Sequence, residues 1–382
     1  MIYSTPAIFP QTPLQSLHPP TAPGSPPVDY AQAEQQFIQL LEIDDLDGKL
    51  ATGAVSASEF ERAVGVALET AYSLEVNPEA PSASQTAAHR FLQRILYRIN
   101  RLKLFWYDDL RHYTNERSFY LKSVRDRVEA AWQAWEAAHL DAAQYQDLDV
   151  GQALAERCAA DIDPPPSADG LYLRDQVGEA GYRCLVAIAS LDGLVEASQL
   201  SRMLGGVGND VHAVLTRLLV EEYGGGRLAR KHSSFFTTML EELGMQTEPE
   251  AYFDLVPWEV LAIINRSFLL SECKQYFLHY IGGLLYGELT VPASFRYYRA
   301  AGERLGLSDA AMSYWDLHIK VDQLHGRWML EDVALPLIEQ YPDAAWQMVW
   351  GYDQQRRFSD RAGVAVVQAA RKADQAASPY SS

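Results

Sequence analysis

The chain has 382 residues, of which 48% are hydrophobic and 21% charged, so it can bury one large core or two ordinary ones and has the balance of a soluble globular protein. Its net charge of −18 repels phosphate backbones and anionic headgroups, which argues against nucleic acid and membrane as partners. Three scattered cysteines (Cys158, Cys184 and Cys273) form no CxxC. That spacing argues against a disulfide framework, an iron–sulfur cluster or a Cys-rich zinc site, and fits a reducing cytosol.

Residues 1–28 are rich in Pro, Ser and Thr without periodicity and read as a disordered leader. They lack the basic start and apolar run of a signal peptide, and no stretch of about 18 apolar residues follows, so the expected location is cytoplasmic. From about residue 30 the pattern is helical, over 31–43, 58–74, 84–112, 117–138 and 149–160. The segment DIDPPPSADG, 161–170, holds three consecutive prolines and marks a boundary, because proline stops helices and holds its predecessor extended. Residues 29–165 are therefore read as an accessory helical region. Helices are then predicted over 173–204, 208–222, 228–244, 256–269, 272–290, 293–304 and 308–333, with stops at GGVG (205–208), GGG (224–226) and Pro292. The main domain is expected over 166–345, with a C-terminal helix and frayed tail over 346–382. No alternating run is long enough for a strand, so the fold class is all-α, a helical bundle.

In a bundle, a metal-ligating carboxylate lies on the apolar stripe, where an unpaired charge costs several kcal/mol. In WDLHIKVDQLHGRW, His318, Asp322 and His325 are spaced i, i+4, i+7 and share one helical face. In VHAVLTRLLVEE, Glu222 follows the stripe of Val211, Val214, Leu215 and Leu218, while Glu221 points to water and His212 sits at the surface. In FLHYIGGLLYGEL, Glu288 continues the stripe Phe277, Ile281, Leu284, and His279 lies opposite it. The glycines at 282, 283 and 287 admit another helix or a ligand. The segment 184–204 is apolar nearly all round and carries charge in its middle only at Asp192 and Glu196, between which periodicity does not choose. His232 opens the helix after the triple glycine. Three imidazoles and four carboxylates with no sulfur suit two divalent ions such as Fe(II) or Mn(II). The competing reading of each piece is an ordinary polar stripe. On that reading the chain is a non-catalytic scaffold, or a small-molecule binder with a structural or degenerate metal site, and LFWYDDLRHY (104–113) is a docking surface.

Taken together, LDGLVEASQ, LLVEEYGGGRLARKHSSFF, GGLLYGE and WDLHIKVDQLHGRWML resemble the haem-oxygenase-like diiron oxidases and oxygenases, also called iron-containing redox enzymes, and most nearly their N-oxygenating branch. The resemblance covers about 180–335. It implies a haem-oxygenase-like bundle and two Fe(II) per chain, held by Glu196, Glu222, His232, Glu288, His318, Asp322 and His325; it thereby favours Glu196 over Asp192. It further implies O2 as co-substrate, a peroxo-diferric intermediate, and a small-molecule substrate. The reactions it implies are N-oxygenation of an amine or oxidative C–C cleavage of a carboxylate. An outside electron donor is expected, and the helical surface is compatible with a homodimer. Phe235, Phe236, Phe277, Tyr280, Tyr314 and Trp315 are candidates for the cavity wall or for core packing. Arg266 and Arg327 are candidates for a substrate carboxylate or for structural roles.

Overall fold

The computed structural model describes residues 28–73, 77, 80–105, 109–140, 143–206 and 208–378, and all regular structure among them is helical. The expected leader, apart from its last residue, and positions 379–382 of the expected tail lie outside the described residues. The chain divides into two compact units, 1–142 and 143–382. The proline segment 161–170 therefore lies inside the second unit.

The first unit holds α1 (Tyr30–Leu41), α2 (Leu46–Ala51), α3 (Ser58–Ala71), α4 (Ala83–Arg101) and α5 (Phe119–Ala138). Phe37 stacks on Phe60, and Phe60 meets the edge of Phe91, so an aromatic seam joins α1, α3 and α4. Ser82 and Gln85 form a capping box at the start of α4. Residues 106–108 of the expected docking segment lie outside the described residues; beside them, Phe105 and Leu110 are exposed.

The second unit holds α6 (Ala143–Gln146), α7 (Val150–Asp161), α8 (Ala168–Asp175), α9 (Glu179–Gly193), α10 (Asp210–Glu222), α11 (His232–Glu242), α12 (Trp258–Glu272), α13 (Phe277–Arg304), α14 (Asp309–Trp328), α15 (Leu335–Gln340) and α16 (Trp346–Ala377). At its centre α13 packs against α14 and α16; α9 and α12 pack on α16, and α11 on α14. Gly282 makes the central crossing possible, because a Cβ there would lie 1.9 Å from the Met348 carbonyl oxygen. A cluster that includes Tyr182, Phe236, Met239, Tyr314 and Trp315 fills the space between α9, α11 and α14.

The structure departs from the expected helices in three places. The helix expected over 173–204 is two helices, broken at Gly178. There the carboxylate of Asp374 on α16 accepts the N–H groups of Gly178 and Gly181, at 2.8 and 2.6 Å, which satisfies first-turn donors that the break leaves open. α9 then ends at Gly193, and residues 194–199 run as turns with Ala197 at φ +61°. The helix expected over 84–112 ends at Arg101. Pro292, expected to separate two helices, lies inside α13. Its missing N–H leaves the Glu288 carbonyl outside the i→i−4 ladder, and packing of α13 on both faces holds the helix together regardless. No helix among the described residues is long and apolar enough to cross a membrane.

Candidate metal centre

The side chains singled out from the sequence converge as two groups that share one member. Glu196, Glu222, His232 and His318 each offer a ligand atom, and these atoms lie within 4.8 Å of one another. Glu222, Glu288, Asp322 and His325 do the same. Asp192 is in neither group.

Local chemistry builds each position. Glu222 ends α10 on the buried stripe of Val211, Leu215 and Leu218. The chain then reverses through Gly224, Gly225 and Gly226, all at positive φ. At Gly224 a Cβ would sit 2.4 Å from the Arg230 carbonyl carbon, so only glycine lets the loop fold back far enough to start α11 at His232 beside Glu222. The two side chains meet at 2.8 Å, His232 Nδ1 to Glu222 Oε2. α14 is registered against α11 by Ser308: its backbone N–H donates to Glu242 Oε1 at 2.7 Å, and its hydroxyl caps α14 at Ala311. That register brings His318 to His232, with Nε2 and Nδ1 3.3 Å apart. One turn after His325, α14 passes into a π-helical turn, Met329–Ala334.

Each α14 histidine is oriented by its second ring nitrogen. His318 Nδ1 lies 2.9 Å from the Tyr314 carbonyl oxygen, which fixes that nitrogen as the donor and leaves Nε2 facing Glu196 and His232. His325 Nδ1 faces Glu288, Glu222 and Asp322 at 3.2, 3.4 and 3.5 Å. Its Nε2 lies 3.3 Å from Glu221 Oε2. Glu221, expected in water, is therefore the partner of His325, and it is held from outside by Arg217, whose guanidinium lies 3.7 Å from the centre of the Trp328 ring. Tyr314 was expected only as wall or core. Its hydroxyl donates to Glu196 Oε2 at 2.6 Å. The signal for it was its place one turn before His318 on the same face.

Buried carboxylates and imidazoles perturb one another strongly at this centre. Burial raises the Glu222 carboxyl, and Glu288 and Glu196 add to the rise against the pull of His232. Burial, then Glu288 and Glu222, raises Asp322. Burial by itself pulls the two imidazoliums down. Glu196 nevertheless holds His318 up at about 10, and Asp322 with Glu288 holds His325 up at about 11. Protons on these two histidines thus offset part of the carboxylate charge in the metal-free chain. The fit to metal shows further in two buried carboxylate oxygens: Glu196 Oε1 finds no hydrogen-bond partner among the described residues, and Asp322 Oδ1 makes no hydrogen bond there beyond its loose 3.5 Å ion-pair contact with His325. One lies in each group. An all-N/O donor set of this kind suits Fe(II) or Mn(II) and gives no preference to Zn(II) with thiolate.

A cavity of about 280 Å³ opens on the centre. Its walls include Glu196, Glu222, Glu288, His318 and Asp322 with Leu218, Ile263, Leu284 and Phe295. Of the proposed aromatic wall, Tyr280 and Tyr314 line it, whereas Phe236 and Trp315 belong to the core and Phe277 stacks on His212. Gly283 and Gly287 also line it, with Arg266. Arg266 is buried and donates to Gln354, Gln355 and the Gly351 carbonyl, while Arg327 is exposed. His279 is fully buried against α16, with Nε2 2.8 Å from Gln354, and burial together with Arg266 holds it neutral.

Residues 185–357 match the family of iron-containing redox enzymes. The matched segment runs from α9 to α16 and contains every residue of both ligand groups. The chain is also similar to a nitrosourea synthase from Streptomyces achromogenes subsp. streptozoticus, 28% identical over 152 residues. That similarity covers 40% of this chain and 32% of the relative, so the chain spans about a third of the protein it matches. The all-α fold and the N/O donor set agree with an iron-containing redox family.

Proposed function

We propose that this chain is a non-haem diiron oxygenase or oxidase that activates O2 and acts on a small molecule. The observation that carries the reading is Glu222, which stands in both ligand groups. A carboxylate shared between two donor sets is what a dinuclear centre needs as a bridge. Glu196, Glu222, His232 and His318 would hold one Fe(II), and Glu222, Glu288, Asp322 and His325 would hold the other. Iron supplies the reduction of O2 and the oxidation of substrate. The chain supplies everything else. Glu221 and the Tyr314 carbonyl orient the α14 imidazoles, and the Tyr314 hydroxyl holds Glu196. Leu218, Ile263 and Leu284 give the cavity beside the centre an aliphatic wall.

O2 accepts four electrons and a simple oxygenation takes two from the substrate, so an outside reductant that supplies the other two completes turnover. A relative named for a nitrosourea, a compound with oxidised nitrogen, favours N-oxygenation of an amine over C–C cleavage. The reduced cysteines fit a cytoplasmic setting. The acidic helical surface is compatible with a homodimer, which light scattering on the full chain resolves.

The test is anaerobic loading with Fe(II), an iron count, and stopped-flow absorbance on mixing with O2, with and without amines and fatty acids. About two irons per chain and a transient visible band are expected. No iron uptake under any of these conditions overturns the reading.

A further inference from the structure

Asp192 is the carboxylate that the two ligand groups leave over. It lies in the last turn of α9, lines the cavity, and is exposed to the cavity's solvent although protein surrounds it at depth. Among the described residues no hydrogen bond or ion pair reaches its side chain. Burial first, and Glu196 second, push its carboxyl up to about 6, and neither Arg266 nor Lys231 acts on it. A carboxylate that faces a ligand-sized cavity with no cation on its side chain is open to a cationic partner.

Counting charge shows what is missing. Glu196, Glu222, Glu288 and Asp322 balance two divalent ions, with the histidines neutral when they ligate. Glu221 is balanced separately by Arg217. That leaves on the cavity wall Arg266, tied to Gln354, Gln355 and the Gly351 carbonyl, and Asp192, on which Arg266 does not act. The walls on either side are aliphatic, with Leu200, Leu218, Ile263 and Leu284.

On the reading of a diiron centre given above, we propose that Asp192 is the substrate-anchoring residue: it pairs with the cationic nitrogen, an ammonium or guanidinium, of a substrate whose apolar body lies on the aliphatic wall. The anchor stands beside Glu196, and so sets the distance between that nitrogen and the metal group containing Glu196. The cavity's volume suits a compact monocation and leaves no room for a peptide.

The test titrates three probes of one length, n-hexylammonium, hexanol and hexanoate, into the full chain by calorimetry, anaerobically and loaded with Fe(II). Wild type is compared with Asp192→Asn, and iron is counted in both. Hexylammonium is expected to bind about tenfold tighter than hexanol in wild type, and the margin is expected to vanish in the variant while the iron count holds. A margin that persists in Asp192→Asn overturns the proposal. So does a preference of wild type for hexanoate, which would shift recognition to Arg266. An iron count that falls by one in the variant overturns it too, because Asp192 would then be a ligand. If wild type takes up no iron, the diiron reading fails by itself, and the same titrations on the metal-free chain still decide whether Asp192 selects a cation.

Discussion

Glu222 is the residue on which the two ligand groups depend jointly, so its removal is predicted to differ in kind from removal of any other ligand. Glu222→Ala is expected to lose both irons, while Glu196→Gln and Asp322→Asn each keep about one. A chelator-based iron count on the purified variants checks this, and an Glu222→Ala protein that kept one tightly held iron would separate the groups. Tyr314 acts through Glu196. Tyr314→Phe removes the 2.6 Å hydrogen bond and is expected to weaken the iron bound by that group about tenfold while leaving the other unchanged. The readout is the split between two dissociation constants in a competition titration. If both constants moved together, the hydroxyl would be acting on the fold rather than on one ligand.

At the scale of elements, the chain reversal between α10 and α11 is the most demanding piece of backbone in the site. Gly224 has φ +61° and no room for a Cβ. Gly224→Ala is predicted to destabilise the chain by about 1–3 kcal/mol and to lower iron uptake, since His232 follows directly from the reversal. Thermal unfolding and an iron count on the same sample check it. The same scale shows why some boundaries escaped the sequence. Pro292 reads as a stop by its missing N–H, yet α13 continues because α14 and α16 grip it on two sides. The break at Gly178 depends on Asp374, nearly two hundred positions later in the chain, and no local pattern contains it. Glu196 was expected in mid-helix, but it stands on the turns after α9, beside the left-handed Ala197.

For the molecule as a whole, metal binding and proton release are linked. In the metal-free chain His318 and His325 sit at about 10 and about 11, above the ordinary imidazole value, so both are protonated near neutral pH. Their protons support the metal-free fold fully below about 6.5, and that support is lost as the pH rises through about 10 and about 11. Metal must displace the same protons. Apparent iron affinity is therefore predicted to rise with pH, by about tenfold per pH unit for each proton displaced. Competition titrations at about pH 6.5 and about pH 7.5, and calorimetry in buffers of different ionisation enthalpy, measure both quantities. An affinity that did not change with pH would show that the histidines are already neutral without metal.

The sequence by itself determined the fold class and the residue types of the centre. A helical period of 3.6 makes inward and outward positions legible, and a carboxylate or imidazole on an apolar stripe stands out for the cost of burying it. Glu222, Glu288, His318, Asp322 and His325 were visible for that reason. Periodicity left Asp192 and Glu196 tied, because it reports the face of a residue and not its neighbours across the bundle. Tertiary structure alone decided what those neighbours are: that Glu222 stands between two groups, that Glu221 turns to His325, and that Asp192 is left facing the cavity. These are distances between side chains on different helices, and only the packing of the bundle sets them.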